Sequence, residues 1–368
     1  MKISLYKLST IAGMFAILLA ACAPAAPAAP VAPVEVTRIV EVAAEPVVQE
    51  VVVTATPAPV EKDPNTPVRI GFFVLALGNS YEEARVIGAT EAAAKFNATT
   101  KFFVSEFDPI KQNQQIDDAV TSGNFDVLIV HCGDCTAVVP PIENALKAGL
   151  IVIAADSPIG PNVGSLEPYP QGVSAVIGRT AVSFGTWIGK TIVDACEGID
   201  PCQVTYLVGA QSYTADQVRY EALQKVTNEY SKIKIVSFQE GKYDQDISRK
   251  VMQNVFQSNP DINVVASSGD QMTLGAILAA EDAGLKNIKF IGAGASKLGC
   301  QAISDGKMLT SYADIPHTQG IELVKTAVAI ARGQDYTKSL NLETLSPPLP
   351  SAGPMISKGG LENFICQW

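Results

Sequence analysis

Few residues of this chain combine reactive chemistry with a setting in which to use it. Asp156 ends the apolar run IVIAAD (151–156), where a buried strand would leave its sheet. Its carboxylate there either caps the next turn or accepts hydrogen bonds from something bound. The segment CGDC sets Cys132 and Cys135 at the spacing of a redox pair, of half a zinc site, or of a small disulfide loop. The chain has only two histidines, His131 and His317, and no second close cysteine pair that looks like a ligand set. The strand pattern around a thioredoxin-like motif is also missing, so CGDC is expected to be a structural disulfide. No G-x-S-x-G elbow, H-E-x-x-H or phosphate-binding P-loop occurs. Acidic pairs for glycoside hydrolysis need a mutual geometry that spacing does not give. The legible chemistry is binding; no catalytic residue, metal or cofactor is expected.

These residues sit in an acidic chain. Across 368 residues, 37 acidic side chains face 27 basic ones, a formal charge of −10. That balance argues against a nucleic-acid partner, which needs a clustered basic surface. Lys2 and Lys7 precede the apolar stretch IAGMFAILLAA (11–21), a secretory signal peptide too short for a stable span. Residues 19–22, LAAC, resemble a bacterial lipobox, so 1–21 are expected to be removed and Cys22 to carry lipid; the alternative is an ordinary signal peptide with a chance cysteine. Residues 22–66 are rich in Pro, Ala and Val and read as a tether reaching on the order of 100 Å. A small N-terminal strand region is the other reading. No later stretch looks like a membrane span. Six cysteines remain beyond Cys22, and an even count outside the cytoplasm favours disulfides. Proximity pairs Cys132 with Cys135 and Cys196 with Cys202, leaving Cys300 with Cys366.

The elements that must position Asp156 follow from residue 68. Apolar runs VRIGFFVL, KFFVSEF, DVLIVHC and LIVIAA alternate with segments such as SYEEARVIGATEAAAKF, whose apolar residues recur at three and four and which often end in Gly. Strand–helix alternation implies parallel strands with right-handed crossovers. The pattern restarts at GRTAVSFGTWIGKTIVDA, followed by QVTYLVGA, IKIVSFQE, INVVASSG and IKFIGAGA as strands. The expected fold is α/β, with two Rossmann-like lobes joined by a hinge and a ligand cleft at the carboxyl ends of their strands.

RIGFFVLALGNSYEEARVIGATEAAAKFN, LIVIAAD, VRYEALQKV, DINVVASSGDQMTLGAILAAEDAG and IGAGASKLGCQAISDGKMLTSYAD occur in this order. Together they resemble the type I periplasmic sugar-binding proteins, the solute receptors of ABC importers, most closely the ribose-binding group, over about residues 68–345. The resemblance implies an N-terminal lobe of 67–178 plus 315–345 and a C-terminal lobe of 179–314 plus 346–368. It implies a monomer outside the cytoplasm that binds a sugar or polyol and serves a membrane permease and ATPase. A sensory receptor of the same fold, or one for a nucleoside or other polar solute, is the alternative; a repressor of this fold would carry an N-terminal helix-turn-helix instead of a signal and tether. The resemblance places Asn79, Tyr81, Asp156, Tyr243 and Asp314 in the cleft. It also matches Ser157, Gln217 and Asp270 (beside Gly269) to binding positions, with Ser157 and Gln217 standing where the family has arginines. Ala293-Gly294 replace a Phe-Asp pair. Small residues for large ones imply a roomy cleft. Tyr169 is a further candidate contact, and Trp187 is expected to be a packing residue. Asp156, at a strand exit, is expected to be replaceable without harm to the fold.

Overall fold

Two six-stranded sheets, each sandwiched between helices, make up the computed structural model, which describes residue 63 and residues 65–345 and 353–368. The signal peptide, Cys22 and almost all of the tether lie outside the described residues. In chain order the first sheet begins β1 (Val68–Val74), α1 (Ser80–Lys95), β2 (Ala98–Val104), α2 (Pro109–Ser122), β3 (Val127–Val130), α3 (Val139–Lys147), β4 (Ile151–Asp156) and β5 (Ala175–Gly178). The chain then passes to the second sheet through α4 (Ala181–Ala195), β6 (Cys202–Val208), α5 (Thr214–Thr227), β7 (Ile233–Glu240), α6 (Gln245–Ser258), β8 (Val264–Ser267), α7 (Asp270–Asp282), β9 (Lys289–Gly294), α8 (Lys297–Ser304) and β10 (Thr310–Ala313). It returns as α9 (Pro316–Ala331) and β11 (Ser339–Asn341) to the first sheet, and ends as β12 (Met355–Ser357) on the second.

The strand orders are β11-β5-β4-β3-β1-β2 and β12-β10-β9-β8-β6-β7. All pairs are parallel except β10 with β12. Burial follows position. Every residue of the inner strands β3 and β4 is buried, because helices cover both faces, and their sequences are continuously apolar until Asp156. The edge strands β2 and β7 are only partly buried, and both mix polar residues with apolar ones. Each sheet separates two apolar layers. On the first, Ile116 and Ile142 lie on one face and Ala89 and Leu323 on the other; on the second, Phe184 and Ile188 oppose Met252 and Ala276.

Local chemistry sets the helix ends. Asp108 accepts from the backbone N–H groups of Ile110 and Lys111, Pro109 opens α2, and Gly123 at φ 64° closes it. Close helix crossings depend on missing side chains. A Cβ on Gly88 of α1 would lie 2.1 Å from the His317 carbonyl oxygen of α9, and one on Gly185 of α4 would lie 2.0 Å from the Arg219 carbonyl oxygen of α5. These crossings fix the two helices, α1 and α5, that carry cationic groups to the cleft.

Disulfides join Cys132 to Cys135, Cys196 to Cys202 and Cys300 to Cys366, with Cα separations of 4.9, 5.7 and 6.6 Å. No helix among the described residues is long and apolar enough to cross a membrane.

Candidate functional site

The carboxyl ends of the two sheets face each other, and Asp156 stands between them. It is the last residue of β4, 3% exposed, with φ at +66°. Aspartate is one of the few residues that tolerates this left-handed backbone. Turn geometry alone therefore already favours aspartate here. Its Oδ1 accepts from the Tyr81 hydroxyl at 2.9 Å and its Oδ2 from the Tyr213 hydroxyl at 3.3 Å. Arg85 and Arg179 lie 3.6 Å from Oδ1, while His131 lies 3.6 Å and Arg219 3.7 Å from Oδ2. Tyr81, Arg85 and His131 belong to the first sheet's elements, Tyr213 and Arg219 to the second's.

A second polar layer orients this one. Glu82 bonds His131 Nδ1 at 2.8 Å, and His131 Nε2 meets the Tyr213 hydroxyl at 2.9 Å. Asp216, fully buried, accepts from Tyr243 at 2.7 Å and from Arg219 at 3.0 Å. Arg179 and Asp314, each at the point where the chain passes from one sheet to the other, form an ion pair. Backbone contacts also span the lobes: Thr214 N–H donates to the Gly133 carbonyl, and the Thr214 hydroxyl accepts from Cys135 N–H, each at 3.2 Å. The CGDC loop thus docks the start of α5, which supports the structural rather than the redox reading of its cysteines.

The surroundings push the two central carboxylates apart. Burial raises the Asp156 pKa, but Arg179 first, then His131, Arg85 and Arg219 beside it, outweigh burial and hold the group well below the usual carboxylate range. Burial dominates at Asp314; despite Arg179, and with Asp156 adding repulsion, it is pushed up to about 7. The Nε groups of Arg85, Arg179 and Arg219 meet no hydrogen-bond acceptor among the described residues. Arg179, Arg219 and the ionised Asp156 line a cavity of about 60 Å³, with Arg85 buried on the other side of its contact with Asp156.

Of the residues singled out in the sequence, Asn79, Tyr81, Asp156, Tyr243 and Asp314 line this cavity. Asn79 also caps α1, accepting from Tyr81 and Glu82 N–H. Gly269, Ala293 and Gly294 line it as well. Four candidates do not. Gln217 is exposed and bonds the Gln211 carbonyl; the α5 guanidinium in the cleft is Arg219, one helical face away. Ser157 is buried beside Tyr213, behind the cavity wall. Asp270 points inward, accepting from Ser296 N–H and from the Ser296 and Ser311 hydroxyls. Tyr169 is exposed and covers Gly160. Trp187 packs beside Gly353 at the edge of the second core, away from the cavity. Two wider expectations also change. The space beside Gly294 is filled by Trp368, so the cleft is not roomy. Asp156, buried with three arginines around it, sits in the packed interior rather than at a free strand exit, so its replacement is expected to cost stability as well as binding.

Arg85, Arg179, Phe107, Tyr213 and Trp368 line or complete the site and were not singled out. Arg85 lies four residues beyond Tyr81 on one helix, which sets both on the same face. Phe107 is the counterpart of Tyr243. Each follows the second strand of its sheet, has positive φ (60° and 53°) and precedes an aspartate that caps the next helix, Asp108 or Asp244. The two rings stack at 6.0 Å with 11° between planes. That repeated aromatic-Asp pair was the available signal.

Comparison with known proteins agrees with this architecture. A family model described as periplasmic binding protein domain matches residues 70–335. The ribose import binding protein of Escherichia coli is 26% identical over 265 residues, covering 72% of this chain and 85% of that protein. That of Bacillus subtilis is 26% identical over 281 residues, covering 76% and 85%. An ABC transporter solute binding protein from Bacillus halodurans, solved with bound myo-inositol, superposes with a TM-score of 0.71 at 21% identity over 83% of this chain and 99% of that one. One from Actinobacillus succinogenes with bound D-allose gives 0.67 at 22% identity over 81% and 100%. A domain match over most of the chain, carried by two facing parallel sheets, settles the kinship: this chain belongs to the periplasmic binding protein family.

Proposed function

We propose that the chain is an extracytoplasmic receptor that closes its two lobes on a neutral sugar or polyol. It then delivers that solute to the permease and ATPase of an ABC importer. The lobes are residues 67–178 with 315–345 and residues 179–314 with 346–368, the hinge being the segments between them. Cys22 carries the lipid that keeps the monomer at the membrane.

The observation that carries this reading is the convergence on Asp156 of donors from both sheets. Arg85, Arg179 and Arg219 balance Glu82, Asp156, Asp216 and Asp314 to within one charge. A charged ligand would upset that balance in a buried site, whereas hydroxyl groups donate to carboxylates and accept from guanidinium groups without doing so. Phe107 and Tyr243 line the cavity, and aromatic rings suit the C–H surfaces of a sugar. The named relatives, among them ribose import proteins, support the same ligand class.

Calorimetric and thermal-shift titration with D-ribose, D-allose, myo-inositol, amino acids and nucleosides tests it. A sugar or polyol at 100 times its dissociation constant should add about 2.7 kcal/mol of stability. Stabilisation by amino acids or nucleosides alone would exclude the carbohydrate assignment and leave the receptor assignment standing.

A further inference from the structure

We infer that Trp368 is a specificity-determining residue of the cleft, an aromatic wall held in place by the Cys300–Cys366 disulfide. The inference rests on the sugar-receptor reading above. Trp368 is far in sequence from every strand exit of the site, yet its side chain lines the cavity. Its indole Nε1 donates to the Gly294 carbonyl at 2.9 Å, and its ring meets the Tyr81 ring edge-on at 5.5 Å and 86°. Its carbonyl accepts from Lys297 N–H. The preceding Gln367 bonds Thr318 twice, amide to hydroxyl at 2.7 Å and backbone N–H to amide oxygen at 3.2 Å. Gly294 and Lys297 belong to the second sheet's elements, Tyr81 and Thr318 to helices of the first. The indole therefore spans both walls.

Shape complementarity is strict at this point. Gly294 has φ of +124°, and a Cβ there would lie 2.2 Å from Trp368 Cζ2. No larger residue fits at 294 while the indole is present. The strand exit has given up its side chain, and the aromatic surface comes from elsewhere in the chain. Because Gly294 occupies the indole N–H, the ring offers a bound solute only its apolar surface. Such a wall discriminates by ring size and shape, while the arginines and carboxylates discriminate by hydroxyl pattern. Cys366, two residues earlier, is bonded to Cys300 on α8, and Phe364 is buried with Ala295, Ile315 and Ile356. These are positioning residues: they fix where the indole stands.

Calorimetry of the full chain with D-ribose, D-allose and myo-inositol tests the assignment. Trp368→Ala should weaken the best of the three probes about tenfold or more and compress the preference between five- and six-carbon probes. Trp368→Phe should keep most of the affinity. The pair Cys300→Ser, Cys366→Ser should shift the preference in the same direction as Trp368→Ala. The chain has two tryptophans, so Trp187→Phe leaves Trp368 as the sole indole. This variant should bind like the parent, and its emission should change on saturation with the best probe; the affinities of Trp368→Ala then separate ligand contact from lobe closure alone. Unchanged affinities and ratios in Trp368→Ala, or an emission unmoved by a saturating probe, would overturn the assignment. Failure of the parent to bind any of the three sinks the sugar-receptor reading and this inference together. Binding by the parent with indifference to residue 368 sinks this inference alone.

Discussion

Asp156→Asn isolates the charge at the centre of the cleft. Asparagine accepts the +66° φ as readily as aspartate, so the backbone is spared, which alanine would not ensure. What disappears is a negative charge 3.6–3.7 Å from three guanidinium groups. At an effective dielectric of about 20 a unit pair at that distance is worth on the order of 4 kcal/mol before desolvation. Each arginine keeps one further carboxylate, Glu82, Asp314 or Asp216, so the losses do not add. Removing one partner of such a buried pair costs about 3–5 kcal/mol. At about 2–4 °C per kcal/mol for a chain of this order of size, the melting temperature should fall by roughly 10 °C. Binding loses a charge-assisted acceptor, worth about 1.5–3 kcal/mol, or roughly ten- to a hundredfold in affinity. Scanning calorimetry and titration of the same preparation read both. A variant that melts within about 2 °C of the parent and binds within about threefold would refute the reasoning, because surface-like behaviour of that size means the charge is not buried among the arginines.

Two further outcomes follow from the site and a third from the N-terminal sequence. Asp314 is raised to about 7, so its contribution to stability is present below the ordinary carboxylate pKa and is lost as pH rises through about 7. Asp156 is depressed, so its contribution is present above that ordinary value and is lost as pH falls below it. Melting temperature should therefore decline from pH 6 to 8, and Asp314→Asn should flatten that slope; a parent curve flat across this range contradicts the assignment. Arg219→Ala should weaken sugar binding about ten- to a hundredfold, and exposed Gln217→Ala should leave it unchanged, as titration will read. Cys22→Ser should release the protein from membranes or leave its precursor uncut, which fractionation and mass measurement distinguish.

Much of this was legible in the sequence, for stated reasons. Periodicity exposed the alternating strands and helices because the inner strands are covered on both faces and so are uninterrupted in apolar character. Asp156 stood out because it ends such a run. Arginines were harder: a guanidinium on a long side chain belongs to whichever cavity its helix face meets, and Gln217 and Arg219 differ by two residues but by more than half a turn. Asp270 and Gly269 show the same limit at a strand exit, where one residue faces the cleft and the next turns in toward Ser296 and Ser311. Trp368 was invisible because the path of the last segment is set by long-range contacts, though Cys366, two residues before it, pointed there.

The three disulfides have a consequence for traffic. Cys132–Cys135 lies within the first lobe, and Cys196–Cys202 and Cys300–Cys366 join elements of the second. Among the described residues, no sulfur bridge staples one lobe to the other. The disulfides therefore constrain each half separately and leave the two halves unlinked by sulfur. The contacts between the two sheets are non-covalent, among them Tyr213 and Arg219 with Asp156, Thr214 with Gly133, and Gln367 with Thr318. Under the proposed function, durability and unloading would thus be governed by different bonds: disulfides within each half, and reversible polar contacts between the halves.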